Sequence, residues 1–184
     1  MKEIFRQLAH LFFGIVIFLG LFFLPDKVML YLLSGSVFIG FAVADAVSKG
    51  LYIPLFSEII RSLERDVLIP GYGTLTFFLS SLCVLILFGS AIASVAVLVL
   101  AVLDSFSTII GVYAGKHKLY GKKSVEGCIG GIVPTFLVLL LLISPLQAGI
   151  IAVVAGIIEL VSPIDDNLTI PVAVALMMVG LGLV

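Results

Sequence analysis

Between Asp104 and Gly127 the chain reads DSFSTIIGVYAGKHKLYGKKSVEG, a carboxylate followed by hydroxyls, spaced glycines and a run of lysines. On a helix of 3.6 residues per turn, Asp104, Thr108, Gly111 and Gly115 fall on one narrow stripe. That stripe opens into Lys116, Lys118, Gly121, Lys122, Lys123, Ser124, Glu126 and Gly127. Carboxylates beside a lysine-rich loop are what a divalent cation and a polyphosphate jointly require: hard oxygens hold the metal, and ammonium groups offset phosphate charge. The loop is not a Walker A element, which needs G-x-x-x-x-G-K-[ST] after a strand. Here five residues separate Gly115 from Gly121-Lys122-Lys123-Ser124, and an apolar helix precedes them.

Other costly residues recur at the ends of apolar segments. Arg6 and His10, four apart, share a helical face. Asp45 and Ser48 close the second apolar run. Glu159 lies near the end of a later one, with Ala152, Ala155 and Gly156 on its face to permit close packing. Asp165-Asp166-Asn167 then precedes the last run. Each has a plainer role available. The Asp165–Asn167 turn suits a helix cap, Arg6 and the lysines suit anionic headgroups, and His10 suits a hydrogen-bonded interfacial position. Gly111 and Gly115 match GxxxG, which serves packing inside one bundle or between two copies as a homodimer.

The elements that must position these groups are membrane helices. The chain has 184 residues, 62% hydrophobic and 11% charged, whereas a soluble domain is about half apolar and about a quarter charged. We expect an all-α integral membrane protein with one domain over residues 1–184. Apolar segments near the ~20 residues needed to span are roughly Ile4–Leu24, Val28–Ser48, Gly73–Ser90, Ala91–Gly115, Gly127–Ile143, Gln147–Val161 and Leu168–Val184, seven in all. The first is too long for a signal-peptide core and lacks a clear cleavage site, so we expect it to be retained. Gly89-Ser90, Pro25-Asp26, Ser144-Pro145 and Ser162-Pro163 punctuate the joins. Between the second and third spans, Leu55, Phe56, Ile59, Ile60, Leu63 and Val67 share one helical face and charged residues the other, which predicts an interfacial amphipathic helix.

With seven spans, one side carries Lys2, Arg6, Lys49, Arg61, Arg65, Lys116, Lys118, Lys122 and Lys123, while the other carries only Lys27 beside Asp26. The positive-inside rule puts the N-terminus in the cytoplasm and the C-terminus on the opposite side. The carboxylates gather on that same basic side, and the outer halves of the helices are nearly pure Leu, Ile, Val and Phe. A transporter would instead need acids through the midplane and a polar path on both sides. The net charge of −1 identifies no partner, and nucleic acid is not expected. Cys83 and Cys128 sit in apolar runs as small buried hydrophobes, with no Cys/His cluster to hold zinc.

Taken together, Asp104 with its hydroxyl-rich face, the Gly111 and Gly115 pair, Lys123-Ser124-Val125-Glu126-Gly127, Glu159, and Asp166-Asn167 with Pro171 resemble the CTP-dependent polyprenol and lipid kinases. That family includes dolichol kinase, phytol kinase and the CTP-dependent diacylglycerol kinase. Arg6 to His10 and Gly71-Tyr72-Gly73 are also similar, so the likeness spans essentially the whole chain. It departs at Leu103-Asp104, where a Gly-Asp pair is common. The resemblance implies transfer of the terminal phosphoryl group of CTP, with Mg²⁺, to the hydroxyl of a membrane lipid alcohol. Lys122 and Lys123 would meet the triphosphate, with Lys116, Gly121, Ser124, Gly127, Gly111 and Gly115 lining the nucleotide site. Asp104 would be metal ligand or base, Asp166, Asn167 and Glu159 further metal ligands, and Glu126 an orienting catalytic group. Arg6, His10, Asp45 and Asp165 complete the candidates. Two alternatives remain at this point: a CTP-dependent phospholipid cytidylyltransferase and a small non-enzymatic transporter.

Overall fold

The computed structural model describes residues 2–63, 69–121 and 123–183, leaving out the side chains of residues 2, 61–63 and 120. Among the described residues seven α-helices and one short hairpin follow in order: α1 Lys2–Phe23, α2 Asp26–Ser48, α3 Phe56–Leu63, α4 Tyr72–Ala114, β1 Lys118–Tyr120, β2 Lys123–Ser124, α5 Val125–Leu139, α6 Pro145–Val161 and α7 Asp166–Gly180. The all-α expectation holds. The amphipathic helix forms as α3, and the expected continuation to Val67 lies outside the described residues.

Helix α4 is one element in name only. Gly89 inside it has φ 78° and ψ 170°, a conformation open to glycine and costly for other residues. Along an unbroken helix Phe77 and Asp104 would stand about 40 Å apart. Both instead lie against His10, the Phe77 ring with its centroid 4.7 Å away and Asp104 Oδ2 at 3.8 Å. The chain therefore doubles back at Gly89, and the limbs 72–88 and 90–114 run side by side. The punctuation at Gly89-Ser90 marks this reversal.

The second limb is the axis of the bundle. From Ile92 to Leu103 every residue is buried, as expected of a helix that is apolar on all sides. Helices α1, α2, α5, α6 and α7 all pack on α4. Helix α1 crosses at Gly14, where an added Cβ would lie 2.2 Å from that of Ala101. Helix α5 meets the backbone of α4 itself. A Cβ on Gly127 would stand 2.8 Å from the Ser107 carbonyl oxygen and 3.0 Å from Gly111 Cα, and one on Gly131 2.9 Å from the Leu103 carbonyl oxygen.

Among the described residues three helices are long and apolar enough to cross a membrane: residues 3–23, α2 and the doubled α4. Helices α5, α6 and α7 are apolar but have 15, 17 and 15 residues, short of the ~20 that span a full hydrocarbon core. Phe12, Phe23, Tyr31, Phe38 and Leu141 are among the many large apolar side chains left outside. A bilayer is the environment that covers such a surface without cost.

Candidate functional site

The polar residues meet because the two halves of α4 and the short helices around them end at one level. Limb 72–88 starts there, limb 90–114 delivers Asp104, Ser107 and Thr108 there, α1 and α7 begin there, and α6 ends there. Lys123 is the hinge of the arrangement. Its ammonium donates to Asp166 Oδ2 at 2.8 Å, pairs with Glu159 Oε1 at 2.9 Å, and also donates to the Glu159 carbonyl oxygen. Burial opposes its charge, but the hydrogen bond to Asp166 and the charges of both acids outweigh that and raise its pKa above the usual lysine value.

From Glu159 the network runs back to α4. The Ser107 hydroxyl is 3.3 Å from Glu159 Oε1 and 3.2 Å from the Asp104 carbonyl oxygen. Thr108 Oγ1 donates to Asp104 Oδ1 at 3.4 Å, as the stripe of the sequence implies. Asp104 is also close enough to Asp165 and Asp166 for their charges to repel. Asp165 caps α7, accepting from Asn167 N–H at 2.9 Å, and burial with the charge of Asp104 raises its pKa despite that bond. Asn167 Nδ2 reaches the Gly73 carbonyl oxygen at 3.2 Å and Thr76 Oγ1 at 3.3 Å. That ties α7 to the first limb of α4.

Several expected roles come out differently. Ser124 is buried and its Oγ accepts from Gly127 N–H at 3.1 Å. The hydroxyl and amide expected to face a nucleotide thus cap α5. Gly111 and Gly115 face Ser124 of the same chain, so their lack of side chains serves the close approach of α4, α5 and the capping residue. Glu126 holds backbone rather than lysine side chains: its carboxylate accepts from Lys116 N–H at 3.0 Å, from His117 N–H, and from His117 Nδ1 at 2.6 Å. The bond to the His117 ring, followed by the backbone donors, holds Glu126 down to a pKa of about 2. Asp45 makes its ion pair with Lys49 at 2.6 Å on the exposed surface of α2 and does not join the cluster. Arg6 pairs with Glu3 on its own helix. Gly121 turns the hairpin at φ 56°. Lys116 is exposed beside it, and Lys122 lies outside the described residues.

His117, Ser107, Thr76 and Gln7 take part in this end of the molecule without having stood out in the sequence. Ser107 carried a usable signal, because it lies one turn from both Asp104 and Gly111. His117 and Gln7 have none, since their partners depend on the fold.

The fit of a divalent cation turns on two oxygens. Asp166 Oδ1 and Asn167 Oδ1 are buried with no hydrogen-bond partner, and both are hard ligands. Glu159 is committed to Lys123 and Ser107, so the expected ligand set contracts to Asp104, Asp166 and Asn167. Among the described residues no group of three His, Cys, Asp or Glu side chains is placed to hold a metal by itself. Mg²⁺ typically takes one or two carboxylates and completes its shell with water and substrate phosphate, and the unpaired Asp166 and Asn167 oxygens are of the kind that begin such a shell.

No family model matches the chain, and no solved structure matches it. Among curated proteins it is 35% identical over 183 residues to Uncharacterized protein MJ1137 of Methanocaldococcus jannaschii, an alignment covering 95% of this chain and 92% of that protein. Identity at that level over nearly the full length of both places the chain in the same family as this archaeal protein.

Proposed function

We propose that the protein is a membrane-embedded phosphotransferase that moves the terminal phosphoryl group of CTP to the hydroxyl of a membrane lipid alcohol. The observation that carries this reading is the joining of Lys123, Glu159 and Asp166, with Asp104 beside them, at one end of an otherwise apolar bundle. Phosphoryl transfer asks little of a protein beyond positioning and charge stabilisation. Lys123 presents a fixed cation to the phosphate chain, and the loop held by Glu126 carries Lys116 and Lys118. Asp104 takes the proton from the attacking hydroxyl. A bound Mg²⁺, held by Asp166 and Asn167, would neutralise charge on the transferring phosphate. The choice of CTP over other nucleotides rests on the family resemblance.

In this reading the two limbs of α4 cross separately, α5 to α7 each cross where the bilayer is locally thin, and seven spans place the N-terminus and the site in the cytoplasm. The test is label position. Purified protein receives a panel of lipid alcohols with CTP labelled at the terminal or the alpha phosphate. Terminal label in the lipid is the expected result. Alpha label would assign a cytidylyltransferase, and label in neither case would remove both reactions.

A further inference from the structure

Five buried side-chain atoms have no hydrogen-bond partner among the described residues: Arg6 Nε, Gln7 Oε1, His10 Nε2, Asp166 Oδ1 and Asn167 Oδ1. Unpaired buried polar atoms are costly, and they collect where a ligand completes the bonding. The last two belong to the metal and phosphate side already described. The first three do not, and they lie within little more than one turn of α1.

Gln7 is only 1% exposed. Its backbone carbonyl oxygen accepts from Ser105 Oγ at 3.1 Å, which sets this turn of α1 against the residue following Asp104. His10 Nε2 lies 3.8 Å from Asp104 Oδ2, too far for a hydrogen bond. On the opposite face of the same turns, Phe5, Leu8 and Phe12 are 62%, 49% and 62% exposed, so α1 turns its polar side inward and its apolar side toward lipid. The unpaired set combines a donor (Arg6 Nε), an acceptor (Gln7 Oε1) and an imidazole nitrogen able to act either way. An anionic headgroup would be repelled by Asp104, and a plain hydrocarbon would leave all three atoms unpaired. A hydroxyl, which both donates and accepts, has the complementary chemistry.

We propose that Gln7 and His10 form the acceptor subsite, holding the hydroxyl of a long-chain alcohol beside Asp104. The role in turnover rests on the phosphotransfer reading; the binding does not. In turnover the hydroxyl oxygen bonds to the terminal phosphorus of the nucleotide. The bond from that phosphorus to the bridging oxygen breaks, nucleoside diphosphate leaves, and the hydroxyl proton passes to Asp104.

The test is photolabelling of the full-length protein in detergent with a hexadecanol analogue bearing a diazirine next to the hydroxyl-bearing carbon. Label is expected on the first half of α1, competed by hexadecanol but not by hexadecane. Gln7→Leu and His10→Phe, the latter keeping a ring against Phe77, should each cut competable labelling about fivefold. His10→Gln, which restores an amide near the Nε2 position, should recover most of it. In turnover the same variants should raise KM for the alcohol and leave KM for the nucleotide unchanged. Equal labelling in the variants would overturn the subsite. So would label concentrated instead in the cavity of about 300 Å³ at the far end of the bundle, near Phe18, Ser90 and Ser94. Labelling of α1 without phosphate transfer from any nucleoside triphosphate would sink the phosphotransfer reading alone.

Discussion

Lys123 shows how much one side chain organises here. It pairs with Glu159, which is buried, and with Asp166 on the following helix. Removing one partner of a buried ion pair leaves the other charge stranded, at ~3–5 kcal/mol when both are fully buried. The Lys123 side chain is 30% exposed, so Lys123→Met should lose less, about 2 kcal/mol, together with activity. Denaturant titration of the purified variant in detergent measures the first loss. Asp104 behaves differently, because its partners are weak: Thr108 at 3.4 Å and His10 at 3.8 Å. Asp104→Asn should retain normal expression and unfolding while abolishing label transfer from CTP. Full turnover in that variant would assign Asp104 to packing and remove it from the reaction.

Two devices at the level of elements keep the lysine loop in place. The first is the glycine contact between α4 and α5. Gly127→Ala would push a methyl carbon against the Ser107 carbonyl oxygen and Gly111 Cα, both backbone atoms that cannot swing aside. We expect a loss of about 1–3 kcal/mol from overpacking. Gly35→Ala, with nothing within 4 Å, should be neutral or slightly stabilising in the same assay.

The second device is the clamp of Glu126 on Lys116 and His117. With its pKa depressed from 4.5 to about 2, Glu126 favours the folded loop fully above about pH 4.5, and that contribution fades as pH falls toward 2. Hydrogen exchange of residues 116–121 should therefore hold steady from neutral pH to about 4.5, once corrected for intrinsic rates, and speed up below it. In Glu126→Gln it should be fast throughout. A wild-type loop that loosened at pH 6 would refute the clamp.

For the whole molecule, the reversal at Gly89 decides the topology, because it places both ends of α4 at the level of the acidic cluster. The proposed orientation then puts Lys118 and Lys27 on opposite sides of the membrane. After Cys83 and Cys128 are replaced by alanine, Lys27→Cys should react with an impermeant maleimide added outside intact cells. Lys118→Cys should react only after the membrane is opened. The reverse pattern would invert the orientation and move the site to the outer face.

Composition alone settled that the chain is a helical membrane protein, because a chain with so few charges leaves its backbone few alternatives to helices that satisfy their own hydrogen bonds. Local punctuation was equally readable: Gly89-Ser90, the Asp165 cap and the amphipathic residues of α3 act within a few residues of themselves. The gathering of Asp104, Lys123, Glu159 and Asp166 at one end followed from span counting. Their pairing did not. Lys123 chose Glu159 and Asp166, Ser124 turned to cap α5, Glu126 took hold of the His117 ring, and Asp45 went to Lys49. Each of those outcomes depends on distances across packed helices. A linear pattern records which residues share a face, but only the packed bundle decides which charge on the next helix lies within three ångströms.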